Sequence, residues 1–404
     1  MLLPSLIVTF GNLGIEPATV YYVARNEFNR QKILGNNVLL SFGIGAVGII
    51  AGLVMVFLLG ETVFHGVPVN YLLLALAFVP IDIFSSYVRY VLLGAQRIKE
   101  FNYVQIAHSV LFLAFIASAL LVMKRGARGA IIAGLITSLI VDVITFPMAM
   151  KVAGGVDFKP DVLYIKQATK YGVQAHLANI LGFLNYRVDM FMVNGFLGPM
   201  AVGLYSVGVG LVEKLWLISQ ASSTVLFPRV AAESEEDRKK GFTALVARTV
   251  LWTTALGALV LIFVSGWVVR LLYSDAYIPA VGALQVLLPG IVTLSVWRIL
   301  TNDIAGRGYP YLNIYTSLAA VIANVILNFI WIPRYNISGA ALASTVSYTV
   351  SFLMATFFYC RLSGNSWTKV IFPQRGDWAL YQQTAKVLAQ SVQRRLKQWM
   401  PSES

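Results

Sequence analysis

The chain has 404 residues, 58% of them hydrophobic and only 12% charged, with a single cysteine and a mean hydropathy of +0.72. That balance excludes a soluble globular domain and identifies a polytopic membrane protein, and the lone Cys360 excludes an internal disulfide or a cysteine-based metal cluster. The formal charge of +13 would suit a nucleic-acid partner in a soluble protein; here it gathers in short loops and the tail, where it reads as membrane orientation and contact with anionic membrane lipids, so no nucleic acid is expected.

In chain order, eleven apolar runs predict helical spans at roughly 2–24, 35–60, 68–94, 102–123, 129–151, 172–198, 200–228, 241–269, 279–305, 309–333 and 337–360. Nothing charged lies between Lys32 and Glu61, Glu100 and Lys124, Arg307 and Arg334, or Arg334 and Arg361. Each of these runs is long enough to cross about 30 Å of hydrocarbon. Pro4, Pro17, Pro80 and Pro289 predict kinks in their spans. The odd connections are basic: Arg25, Arg30 and Lys32 in the first, Arg97 and Lys99 in the third, Lys159, Lys166 and Lys170 in the fifth, Arg229, Arg238, Lys239 and Lys240 in the seventh. The second and sixth have no Lys or Arg, and only the fourth, with Lys124, Arg125 and Arg128, breaks the alternation. Odd connections and the C-terminus are therefore expected in the cytoplasm, with Met1 outside.

Residues 153–171 are the one substantial polar connector between spans. The expected domains are an N-terminal lobe over 1–152, this cytoplasmic connector, a C-terminal lobe over 172–363 and a cytoplasmic tail over 364–404. In the tail, Trp378, Tyr381, Ala385, Leu388, Val392, Leu396 and Trp399 form an apolar stripe that suits a helix lying on the inner membrane surface. The lobes repeat one another. MKRGARGAIIAGL (123–135) aligns with PRYNISGAALAST (333–345); Arg89 precedes Gly94 much as Arg298 precedes Gly306; VARNE (23–27) corresponds to VAAE (230–233). The shift spans an even number of helices, so the repeats are expected to be parallel, about an axis along the membrane normal.

The run VIANVILNFIWIPRYNISGAALASTVSYTV (321–350) resembles a segment of the polysaccharide (O-antigen-type) flippases, a family of the multidrug/oligosaccharidyl-lipid/polysaccharide exporter superfamily. Asn185-Tyr186-Arg187-Val188-Asp189, then Phe196-Leu197-Gly198-Pro199 and Val202-Gly203-Leu204-Tyr205-Ser206, look like the same family's seventh and eighth helices. Asn336 stands where the family has glycine after the Pro-x-x turn, a position asparagine can tolerate in a left-handed conformation. The resemblance implies an all-α integral membrane fold of two pseudo-symmetric helical lobes, 6+6 in the family and 5+6 here. It also implies an additional first helix upstream of Met1: matching Val23 to Val230 puts Met1 opposite about residue 208, already inside the seventh span, and a further span would return the N-terminus to the cytoplasm.

The function implied is translocation of a polyprenyl-pyrophosphate-linked glycan across the cytoplasmic membrane of a bacterium, by lobes that rock around a cavity. The pyrophosphate calls for buried cations and the sugar for a hydrated wall of amides and hydroxyls. Arg187, near mid-depth of the sixth span, is the first candidate for the phosphate, with an ion pair to a neighbouring acid as the alternative. Arg89 and Arg298 form a second pair and Lys214, beside Glu213, a third place; Asn185 and Asn194 are candidates for the sugar, with Tyr205, Asn324 and Asn328 behind them. Arg187 and Asp189, two apart on a helix, point in different directions. The acids Glu16, Asp82, Asp142 and Asp189 either bind a coupling proton or sodium ion or neutralise the arginines. His108 and His176 lack metal-ligand spacing; no metal, cofactor or catalytic residue is expected, since no phosphate-binding glycine loop or nucleophile elbow is present.

Two other functions compete. A cation-coupled multidrug antiporter of the same superfamily would favour an acid-rich, aromatic pocket. A membrane-embedded sugar polymerase would need a long outer loop, and no outer connection much exceeds about ten residues.

Overall fold

The computed structural model describes residues 2–63, 68–374 and 376–377, without the side chains of Leu2 and residues 59–63. The tail stripe from Trp378 onward therefore lies outside the described residues. Fourteen α-helices follow in chain order: α1 (Leu2–Gly11), α2 (Ile15–Arg25), α3 (Arg30–Val63), α4 (Val69–Leu76), α5 (Phe78–Gly94), α6 (Ile98–Ala117), α7 (Gly126–Ala153), α8 (Val162–Leu197), α9 (Pro199–Val212), α10 (Trp216–Ala232), α11 (Glu236–Tyr273), α12 (Ala280–Gly306), α13 (Pro310–Ser363) and α14 (Trp367–Ile371).

Among the described residues eight helical segments are long and apolar enough to cross a membrane, with α4–α5 and α9–α10 each making one. The 54-residue α13 is two crossings, because Asn336 (φ 52°, ψ −140°) breaks it. Two further crossings escape a test on length and hydropathy. The pair α1–α2 is interrupted at Leu13 and Gly14, both with positive φ; α8 is diluted by the very charges and amides that make it interesting. Among the described residues this makes an all-α membrane fold with eleven candidate crossings and no strand. Phe57, Phe191 and Phe263, on three different helices, stand at least three-quarters exposed, as side chains bathed in lipid should.

The kinks fall partly where proline chemistry puts them. The break between α4 and α5 at Ala77 lies next to Leu76, the carbonyl that the Pro80 ring would strike in a continuous helix. In contrast α12 runs unbroken through Pro289 and α1 through Pro4, whereas the first crossing breaks at Asn12–Gly14, around Leu13, the carbonyl that the Pro17 ring would strike. At Gly14 the cause is packing: a Cβ there would collide with the Gly172 carbonyl of α8. Asn336 has the positive φ expected, but its ψ is that of a mirror-image extended residue, not of a left-handed turn. The adjacent turn is tight enough that a Cβ on Gly339 would strike the Trp331 carbonyl.

There are two hydrophobic cores, one over α1–α7 with the start of α8 and the end of α10, the other over the rest of α8 to α14. The repeat is visible in their packing. A Cβ on Gly94 would press on Val20 and Val23 of α2, and one on Gly306 on Phe227 and Val230 of α10. Val23 and Val230 thus occupy matching places against the ends of α5 and α12. The connector is shorter than its polar stretch suggests, since α8 already starts at Val162, capped by the Asp161 carboxylate accepting from the Tyr164 amide at 3.1 Å. It is strapped to the N-terminal lobe: the Asp157 amide donates to the Gln31 carbonyl at 3.1 Å and the Asp161 amide to Asn36 Oδ1 at 2.9 Å.

Candidate functional site

The lobes meet mainly through α2 against α8 and α10. Tyr21 of α2 stacks on Tyr171 of α8, ring centroids 4.6 Å apart, and the Tyr171 hydroxyl donates to the Ala305 carbonyl at 2.7 Å. This aromatic seal lies on the side of the odd connections. Above it, between the lobes, is a cavity of about 480 Å³ whose wall is shared by α5, α6, α8, α10 and α12.

The wall is unusually rich in amides and aromatic rings for a membrane interior. Asn102 and Gln105 come from α6, Asn179 from α8, Gln220 from α10 and Asn302 from α12; Tyr90, Tyr186 and Trp297 supply ring faces. Arg298 is the cation in this wall. Its guanidinium lies over the Trp216 ring at 5.2 Å and faces the Tyr186 hydroxyl. No carboxylate pairs with Arg298 among the described residues. A half-buried cation without an acid partner, among hydrogen-bonding side chains, can attract an anion.

Arg187 takes the other arrangement. Its Nη1 lies 3.1 Å from Glu213 Oε1 and its Nη2 3.4 Å from Glu213 Oε2, a two-pronged pair. Glu213 stands in a 3₁₀ turn, Glu213–Leu215, that joins α9 to α10, and Arg187 is not among the cavity-lining residues. Lys214, in the same turn, is exposed and away from that wall, and Asn194 is exposed near the far end of α8.

Asn185 and Asp189 are buried on the opposite face of α8. Asp189 is not the partner of Arg187. It accepts from the Tyr205 hydroxyl at 2.6 Å and from Ser344 Oγ at 2.7 Å. Asn324 donates to Ser344 and Ser347 at 3.2 and 3.1 Å, and Asn328 to Asn324 Oδ1 at 2.7 Å. These groups form one buried polar cluster inside the C-terminal lobe, so Tyr205, Asn324 and Asn328 do not line the central cavity.

The remaining acids converge in the N-terminal lobe. Glu16 of α2, Asp82 of α5 and Asp142 of α7 line a separate cavity of about 300 Å³ with Arg89 and His108. Ser85 donates to Asp142, and Ser86 and Tyr90 hydrogen-bond Glu16. Arg89 shares a face of α5 with Asp82, as the seven-residue spacing requires, but it makes no ion pair there: its guanidinium carbon is 5.7 Å from the Phe101 ring and its Nε has no partner. Gly94 and Gly306 fix the register between lobes, and by that register Arg89 lies five residues before its glycine and Arg298 eight. The two arginines are thus about one helical turn apart in equivalent helices rather than at equivalent positions.

Sequence reasoning missed the amides of the cavity wall and one buried ion pair. Asn102 and Gln105 carried a readable signal, two amides three apart in an uncharged span. Arg248 of α11 bonds the Asp377 carboxylate with two nitrogens and the Lys369 carbonyl at 3.1 Å with a third. Its partner lies 129 residues away in sequence, which no local pattern could supply.

Two family models match the chain: that of the polysaccharide biosynthesis proteins over residues 3–232 and that of the MatE proteins over residues 175–330. A probable low-salt glycan biosynthesis flippase of Haloferax volcanii is 23% identical, over 48% of this chain and 42% of its own length. A putative O-antigen transporter of Shigella flexneri is 24% identical, over 48% and 46%. A capsular polysaccharide biosynthesis protein of Staphylococcus aureus is 23% identical, over 46% and 48%. The matched segments span less than half the length of these curated relatives. Among solved structures, the MATE transporter VcmN of Vibrio cholerae superposes with a TM-score of 0.77 at 18% identity, covering 91% of this chain and 88% of that one. At that identity the likeness is one of fold.

Proposed function

The chain belongs to the polysaccharide biosynthesis protein family of multi-pass membrane transporters, and from that premise we propose that it flips a polyprenyl-pyrophosphate-linked oligosaccharide across the cytoplasmic membrane for surface polysaccharide assembly. The observation that carries this reading is Arg298: an acid-free cation in a cavity otherwise lined by amides, hydroxyls and rings. Such a wall suits a sugar, whose hydroxyls need donors and acceptors and whose apolar faces need rings, with an anion at one end. Arg298 holds the pyrophosphate, Asn102, Gln105, Asn179, Gln220 and Asn302 hold the sugars, and the polyprenyl tail stays in lipid.

With basic odd connections in the cytoplasm, the Tyr21–Tyr171 stack closes the cytoplasmic side, and the lobes rock about α2 to open it. Outward movement of negative charge is favoured by an inside-negative potential, by about 2.3 kcal/mol per charge per 100 mV. A proton or sodium ion on the acid cavity of Glu16, Asp82 and Asp142, or on Asp189, couples the cycle.

The alternative, a cation-coupled multidrug antiporter, draws on the MATE-like fold and on that acid cavity. The central wall speaks against it, because a cationic drug would meet an unneutralised arginine there. The test is the purified chain in liposomes, offered a fluorescent polyprenyl-pyrophosphate oligosaccharide or a cationic dye. Glycan translocation without dye efflux is expected; dye efflux without glycan translocation would overturn the reading.

A further inference from the structure

On the side of the odd connections the N-terminal lobe carries a second, outer cavity of about 660 Å³, away from the central one. It is lined by Arg30 at the start of α3, Arg97 just before α6, Lys151 in the last turn of α7, Glu100, and an apolar wall of Leu92, Ala95, Met148 and Val152. The three cations have little to neutralise them. Arg97, well exposed, reaches the half-buried Glu100 at 3.5 Å, Arg30 Nε bonds the neutral Asn26 Oδ1 at 3.1 Å, and Lys151 makes no ion pair among the described residues. Arg97 also stands at the N-cap of α6, whose first-turn amides no side chain caps.

The repeat shows what such a place looks like when the chain fills it itself. Gly94 is followed by Ala95, and its counterpart Gly306 by Arg307. The Arg307 side chain is 6% exposed, bonds Asp303 and, at 2.5 Å, Glu236, and lies over the Tyr359 ring at 6.0 Å. The C-terminal lobe thus plugs this corner with an arginine between two acids. The N-terminal lobe puts alanine there, leaves the space open, and surrounds it with cations.

We infer that this corner binds the phosphate of an anionic phospholipid from the leaflet on the side of the odd connections, with Arg30, Arg97 and Lys151 around the headgroup and the partly exposed Met148 and Val152 against its glycerol and upper acyl chain. Free phosphate would share the charge contacts but has no use for the apolar wall, so the lipid is the better fit. The volume lies within the range of small-ligand pockets. This inference stands apart from the glycan reading, since no residue is shared between the two cavities.

The test uses the full chain, purified in neutral detergent, with native mass spectrometry reading bound phosphatidylglycerol against phosphatidylcholine. Wild type should retain phosphatidylglycerol selectively. The variant Arg30→Gln/Arg97→Gln/Lys151→Gln should bind it about fivefold more weakly per cation removed. A charge-matched control, Lys159→Gln/Lys166→Gln/Arg238→Gln, should stay within about twofold of wild type. If the triple variant melts early in phosphatidylcholine, exposed Lys151→Gln alone gives the reading. Equal losses in both triple variants would reduce the effect to general surface charge and overturn the site. So would inorganic phosphate displacing the lipid at millimolar concentration, which would assign the corner to a soluble anion.

Discussion

In the N-terminal lobe three carboxylates share a cavity with one arginine, and Arg89 turns its guanidinium toward Phe101 rather than into an ion pair. In the C-terminal lobe the arrangement is reversed: Arg187 is paired with Glu213, Asp189 accepts from two hydroxyls, and Arg298 is left without an acid on the wall between the lobes. The helices match, down to the glycine that seats α5 on Val23 and α12 on Val230, so the difference lies in a few side chains. One lobe gathers carboxylates in a pocket of its own and the other places a cation on the pocket between the lobes. On the proposed function, a small coupling cation and a large anionic substrate would use separate sites on the same scaffold.

The sharpest way to break this comparison is to reverse the cation. Arg298→Glu should lower glycan translocation at least about 100-fold, since it replaces an attraction by a repulsion in a poorly screened site. Protein abundance in the membrane should be unchanged. Wild-type transport by that variant, measured in liposomes, would remove Arg298 from the mechanism.

Next come the acids. Asp82→Asn with Asp142→Asn should abolish the dependence of transport on a proton or sodium gradient while leaving glycan binding within about threefold of wild type. A parallel loss of binding would merge the two sites that the lobes keep apart.

Arg187 tests the pairing. Arg187→Ala leaves Glu213 half-buried and alone, and should cost about 2 kcal/mol in thermal or denaturant unfolding. Arg187→Ala combined with Glu213→Gln should recover most of that stability and much of the activity. If the double variant stays inactive though stable, Arg187 touches substrate after all.

The smallest effect concerns the strap between the lobes. Asp161→Ala removes the cap of α8 and should cost about 1 kcal/mol. The Tyr164 amide and then Lys32 hold the Asp161 carboxyl below its ordinary pKa. That contribution is therefore complete above the usual carboxylate range and fades as pH falls through the lowered value. An Asp161→Ala variant whose stability relative to wild type does not depend on pH would rule out this cap as the titrating group.

Much of the architecture was legible because apolar runs and loop charge are local properties. The crossings follow from residues read within a helix length of one another, and the repeat from matching short runs some 210 residues apart. The convergence of Glu16, Asp82 and Asp142 was only half visible: each acid stood out in its span, but that three spans aim them at one cavity is a matter of tertiary packing. The choice between Arg187 and Arg298 was not legible. Both are intramembrane arginines in aromatic surroundings, and what separates them is Glu213, brought to Arg187 by a 3₁₀ turn between α9 and α10 that an apolar run does not announce. Polar side chains such as Asn102 and Gln220 were passed over for a related reason: an amide in a span reads equally as helix packing or as cavity wall until the facing helix is known.

The most direct test of the central claim is mass spectrometry of the lipids that co-purify with the protein from cells making a surface polysaccharide. Wild type should carry a polyprenyl-pyrophosphate oligosaccharide, and Arg298→Glu should lose it while Arg187→Ala/Glu213→Gln keeps it. Equal amounts of that lipid on wild type and Arg298→Glu would contradict the account.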